Sequence, residues 1–151
     1  MRLSFHQPTT VIVALSLAVS SCSAFAASDG SSYSLSRVNG DPLPATLYEI
    51  NTQGGHHMVY QVLRAKLSLK AFGRFLLETE GRRVWDGIPN DSVLTGTASG
   101  DFVQTDTTVV TRYTDLNGAF IEDTYHIFEN GRVLRGLTGD FAPAVYEYVR
   151  D

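Results

Sequence analysis

Polar and apolar positions alternate with a period of two along most of this chain after Tyr33. The clearest run is Val59 to Leu69. Val59, Leu63, Ala65, Leu67 and Leu69 share one face, with Gln61 the single polar intrusion, and Tyr60, Val62, Arg64, Lys66, Ser68 and Lys70 share the other. A helix would spread Arg64, Lys66 and Lys70 around most of its girth, so the pattern predicts a strand with one wet face. Ala71-Phe72-Gly73 predicts a tight turn, and Arg74 to Thr79 returns with Phe75 and Leu77 on one face. Asn117-Gly118 and Asn130-Gly131 read as type I′ turns. They frame a meander of three strands, Thr107 to Thr114, Ala119 to Glu129 and Arg132 to Thr138, with Ile121, Tyr125 and Ile127 on one face of the middle strand.

Further strands are expected at Tyr33 to Val38, Thr46 to Ile50, Gly96 to Gln104 and Ala144 to Arg150. The Gly96 strand is expected to bend at a bulge near Ser99-Gly100. Gly81 to Ser92 (GRRVWDGIPNDS) reads as the longest irregular stretch. About eight or nine short strands in one domain would leave exposed edges if laid flat, and closure removes them. The predicted fold is therefore all-β, a small antiparallel β-barrel of about eight strands in mostly up-and-down order. A two-sheet β-sandwich is the alternative.

The first residues follow another pattern. Arg2 precedes an apolar run, Val11 to Val19, and small residues follow to Ala26. This is the layout of a secretory signal peptide, too short in its apolar part to span a bilayer. The expected organisation is a signal peptide over 1–26, a flexible leader over 27–32 and a single barrel domain over 33–151. Two cuts are open. Ala24-Phe25-Ala26 would release a soluble protein starting at Ala27. Val19-Ser20-Ser21-Cys22 resembles a lipobox, which would lipidate Cys22 and hold the domain to a membrane. The expected location is thus secreted or periplasmic, or lipid-anchored. Cys22 is the only cysteine, so no disulfide forms within the chain and the exported domain relies on its core.

The net charge is −4 at pH 7, with no basic run. That argues against nucleic acid, and against membrane contact except through a lipid on Cys22. No catalytic motif stands out, so an enzyme is not expected, nor a cofactor. Gly96-Thr97-Ala98-Ser99-Gly100 is not a serine elbow, because the Ser falls one place late. His56-His57 would point to opposite faces of a strand, which suits solvated histidines better than metal ligands. Asn90-Asp91-Ser92 matches a glycosylation sequon of little specificity. Asp123 lies on the same face as Ile121, Tyr125 and Ile127. Either it is turned to water near the rim, or it is buried and paired with Arg112 or Arg135.

Aromatic residues supply the remaining candidate chemistry. Phe75, Trp85, Phe102, Tyr113, Tyr125 and Tyr146 could line a cavity for a small apolar ligand, or could fill the interior of a barrel this small. In the second case Trp85, in a Gly/Pro-bearing stretch, would suit contact with an envelope protein.

The opening Tyr33-Ser34-Leu35-Ser36-Arg37-Val38-Asn39-Gly40-Asp41-Pro42-Leu43-Pro44-Ala45 resembles that of small exported bacterial domains called lipocalin-like (Y-x-L-x-x-V-N-G-x-P-L-P-A). Gly73-Arg74-Phe75, Gly100-Asp101-Phe102, Asn117-Gly118 and Tyr146-Glu147-Tyr148-Val149-Arg150 are similar to that group's later features. The resemblance implies a barrel. The G-x-W motif of the lipocalins proper is absent, so no ligand class comes with it.

Overall fold

The computed structural model describes residues 30–90, 92–138 and 143–151. The expected signal peptide and its Cys22, most of the expected leader, and Asp91 of the sequon lie outside these. Eleven strands are present among the described residues: β1 (Ser32–Val38), β2 (Asp41–Pro42), β3 (Ala45–Asn51), β4 (His57–Lys70), β5 (Arg74–Trp85), β6 (Ile88–Pro89), β7 (Leu94–Gln104), β8 (Thr108–Thr114), β9 (Phe120–Phe128), β10 (Val133–Thr138) and β11 (Ala144–Arg150). Eight of them close an antiparallel barrel in the order β1-β11-β10-β9-β8-β7-β5-β4, and β4 meets β1 again. The three others are satellites: β2 folds back on β1, β3 pairs with the first half of β4, and β6 pairs with the end of β5.

Alternation puts one residue in two inside, and two bulges correct its phase. Along β4, Met58 and Val62 face inward and so do Ala65, Leu67 and Leu69. Those two sets cannot share a face without an extra residue. Leu63 is that residue, where the register against β5 slips between Val62 and Arg64. The expectation that Val59 and Leu63 lie with Leu67 is thus corrected: Val62 takes the inner position. Ser36 does the same in β1, so that Tyr33, Leu35 and Val38 are all buried. Phe75, Phe102, Val109, Tyr125, Leu134 and Tyr148 complete the packed interior. Each such side chain contributes roughly 1.5–3 kcal/mol by leaving water.

The turns differ from expectation in kind. Asn39-Gly40 and Asp86-Gly87 are two-residue loops with positive φ at both positions, as type I′ requires. At the β8–β9 connection only Gly118 has positive φ, because Asp115 Oδ1 accepts the backbone N–H of Asn117 and of Ala119 and holds a longer turn. The β9–β10 turn has three left-handed residues in succession, Glu129, Asn130 and Gly131. The stretch expected to be irregular instead continues β5 to Trp85, where Val84 is buried, and turns into β6.

No bulge occurs at Ser99-Gly100, since β5 and β7 pair without a slip from Gly81/Leu94 to Arg74/Asp101. The glycine answers a different need. A Cβ on Gly100 would lie 1.9 Å from the carbonyl oxygen of Arg112 in β8 and 3.1 Å from the Phe75 ring. At Gly96 the corresponding contact is only the Thr79 hydroxyl, at 2.8 Å, which can rotate away. Gly100→Ala is therefore expected to cost at least about 2 kcal/mol, and Gly96→Ala less than about 1 kcal/mol. Urea unfolding of the two variants checks the contrast.

Candidate functional site

One end of the barrel carries the β4–β5, β7–β8 and β9–β10 turns. The other carries the satellites. There β4 runs on beyond its contact with β1 and β5 beyond its contact with β7, and with β3 and β6 at their flanks they form a four-stranded apron. Residues directly opposite in antiparallel strands share a face. Ile50, Met58, Trp85 and Ile88 are opposite one another in turn, so they make one apolar row across the apron. Met58 is buried, whereas Ile50, Trp85 and Ile88 are 46 %, 38 % and 72 % exposed. The next row is Tyr48, Tyr60 and Arg83, with the two tyrosine rings stacked at 5.3 Å and 8°. This face continues the inner face of the barrel.

The apron's tip is fixed by charge. His56 Nδ1 lies 2.7 Å from Asp86 Oδ2, the His57 backbone N–H donates to Asp86 Oδ1 at 2.8 Å, and His57 Nε2 is 3.2 Å from Glu49 Oε2. The His57 N–H, then His56, hold the Asp86 carboxyl below its usual range. These contacts tie the β3–β4 loop to the turn just after Trp85. His56 is exposed and His57 half-buried, and among the described residues no group of three His, Cys, Asp or Glu is placed to hold a metal ion.

Inside the barrel, five of the six expected ligand residues are used for packing. Phe75, Phe102 and Tyr125 are buried, and Tyr113 and Tyr146 pack against them half-buried. Phe75 meets Tyr113 edge-on at 6.0 Å, Tyr125 meets Tyr148 edge-on at 5.9 Å, and Tyr146 stacks on Tyr148 at 6.5 Å. Trp85 is apart from them, on the apron. Asp123 is 7 % exposed, directly opposite Thr111, so of the two readings of this acid the inward one holds. Its expected partners are engaged elsewhere: Arg112 binds Glu122 at 2.7 Å, and Arg135 binds Glu147. Burial pushes the Tyr146 hydroxyl up to about 12, with Tyr60 and Asp123 adding to the effect. Tyr125 and Tyr148 are driven well above their ordinary value, again first by burial.

Among the described residues, the candidate groups for chemistry lie apart. His56 and His57 are at the apron tip, Asp123 is inside the barrel, and Ser99 belongs to a regular strand. What the sequence reading missed is the apron itself, with Ile50, Met58, Ile88, Tyr48 and Tyr60. The Asp86-Gly87 pair is the signal that marks it, since it sets Trp85 opposite Ile88.

The raised tyrosines make stability depend on alkaline pH. Below pH 10 both folded and unfolded chains keep their phenolic protons. Between pH 10 and about 12 the unfolded chain loses them while the barrel holds that of Tyr146, so stability falls across that window. Urea midpoints are expected to change little from pH 8 to 9.5 and to drop steeply by pH 11.5. Tyr146→Phe is expected to flatten part of that drop, and absorbance at the phenolate band reads the titration directly.

No family model matches this chain, and neither a curated protein nor a solved structure is significantly similar to it.

Proposed function

We propose that the protein is an exported, non-enzymatic module of lipocalin-like build that binds another protein of the cell envelope, with the row Ile50, Trp85 and Ile88 as its contact surface. One observation carries this reading: the aromatic residues divide. Those expected to line a ligand cavity are consumed by the filled interior, and the sixth, Trp85, lies outside in line with two exposed isoleucines. An apolar ligand inside the barrel would need the space that Phe75, Phe102 and Tyr125 occupy. A tryptophan anchored in a rigid sheet face, beside aliphatic side chains, has the composition of an interface hot spot. Export rests on the Arg2, Val11–Val19 and Ala24-Phe25-Ala26 pattern, and lipidation on Cys22. Mass spectrometry of the mature N-terminus is expected to read either Ala27 or an acylated Cys22, in line with one of these two cuts.

Trp85 is the single tryptophan, so its emission reports on the apron alone. Titration with fatty acids and other apolar probes is expected to leave both its emission and the melting temperature unchanged. A saturable response with a raised melting temperature would favour the ligand reading instead. A photo-crosslinking residue at position 88, in cells that export the protein, is expected to give a discrete protein adduct. The same residue at position 117, on the β8–β9 turn, is expected to give none.

A further inference from the structure

β7 is bonded on both edges over only part of its length. Its pairing with β5 runs from Leu94 to Asp101, but β8 joins it only from Asp101 to Gln104. The edge from Leu94 to Ser99 that faces away from β5 has no strand partner among the described residues. Thr95, Gly96, Thr97 and Ser99 are exposed there.

The groups this edge offers follow from alternation. The Thr105 N–H donates to the Thr108 carbonyl at 2.8 Å, so residue 105 directs its backbone polar groups at β8. With a period of two, residues 103 and 101 do so as well. The ladder to β5 has no slip, so Thr95, Thr97 and Ser99 direct theirs the same way, into the open edge. The complementary set faces β5, in agreement with the Thr79 hydroxyl bonding the Gly96 carbonyl. The segment also lacks the devices that keep sheet edges apart. It has no lysine, no proline and no bulge.

We propose that this edge pairs with the same edge of a second copy, the two β7 strands running antiparallel about a two-fold axis through Thr97. That register sets Thr97 against Thr97, Thr95 against Ser99, Gly96 against Ala98 and Leu94 against Gly100. Hydroxyls meet hydroxyls on the outer face, a favourable cross-strand pairing, and no charge opposes its like. The same axis joins the outward N–H and C=O of Thr95, Thr97 and Ser99 into three bonded pairs, so every polar group of the open edge is used. Of the charges on β5 and β7 beside the seam, Glu80 is paired with Arg64 and Asp101 with Arg74 at 2.6 Å, while Glu78, opposite Thr97 on β5, lies one strand back from the edge and has no ion pair among the described residues. A second copy fits this neutral, self-complementary edge, and such two-fold contacts are the commonest in homo-oligomers.

Sedimentation of the purified protein starting at Ala27, from about 1 to 300 μM, is expected to show a monomer–dimer equilibrium. The amide protons of residues 95, 97 and 99 are expected to exchange more slowly as the dimer fills. Thr97→Lys sets two ammonium groups face to face and is expected to weaken the dimer at least tenfold with the melting temperature of the monomer kept. Thr97→Ser is expected to preserve it, and Ile88→Asp, on the apron, to leave it intact. A monomer throughout, with fast exchange at those three amides, overturns the proposal. So does a dimer that survives Thr97→Lys or is lost on Ile88→Asp, and so does an extended peptide of another protein found along β7.

Discussion

Closure of the barrel depends on a short seam. β1 meets β4 over three residue pairs, Ser32 with Ser68, Tyr33 with Leu67, and Ser34 with Lys66, whereas β4 and β5 pair along most of their length. A clamp on the outer face compensates. The Asp151 carboxylate accepts the hydroxyls of Ser32 and Ser34 at 2.5 Å each and lies 2.9 Å from Lys66 Nζ, so one side chain bridges both strands of the seam. Those donors hold its carboxyl at about 2, so the clamp stays charged at any ordinary pH. On the inner face Tyr33 is buried between the strands, and its hydroxyl donates to the Gly131 carbonyl at 3.0 Å. Without the seam, β1 and β4 would both become long apolar edges, open to pairing with other chains.

The shortness of that seam shapes the exposed surface. β1 leaves β4 after Ser34, and β4 must find another neighbour for its first half, which β3 supplies. Strand lengths are unequal around the ring: β4, β5 and β7 have 14, 12 and 11 residues, against 7 in β1, β8 and β11. β4 overhangs β1, β5 overhangs the start of β7, and β7 overhangs β8. β3 and β6 cover the overhangs of β4 and β5 and turn them into the apron, while the overhang of β7 has no such cover among the described residues. The candidate contact surfaces are therefore by-products of how the ring closes, carried on rigid strands and not on loops.

Strand identity was legible from period-two alternation, and most strands lie within a residue or two of where the pattern places them. Phase was not legible. A bulge adds one residue, and nothing in Gln61-Val62-Leu63-Arg64 marks which of two adjacent apolar residues is the extra one; pairing with β5 decides it. Turn type was readable only where the side chains do not compete. Asn39-Gly40 turns as its dipeptide dictates, but at Asn117-Gly118 the Asp115 carboxylate captures two backbone N–H groups and overrides it. The glycines and proline of Gly81 to Ser92 obscured an ordinary hairpin. For the site, alternation rightly put Phe75 and Tyr125 inside, but sequence carries no measure of interior volume, which decides whether such residues line a space or fill it.

Asp123 shows what kind of interior this is. A carboxylate in an apolar barrel is costly unless its oxygens are satisfied. Asp123 retains a partner, and none of the buried side-chain polar atoms among the described residues lacks a hydrogen bond. It faces Thr111, itself buried, and its charge is felt by Tyr125, Tyr146 and Tyr148. The middle of the core is thus polar and fully engaged, walled by aromatic rings in edge-on and stacked contact. Satisfied networks of this kind fix register, because a one-residue slip of β9 would turn Asp123 out and Glu122 or Thr124 in. An interior ordered in that way has little to gain from admitting an apolar guest, which would have to displace engaged polar groups as well as rings. The exposed Trp85 row carries no such penalty, and that asymmetry favours recognition on the apron over recognition within the barrel.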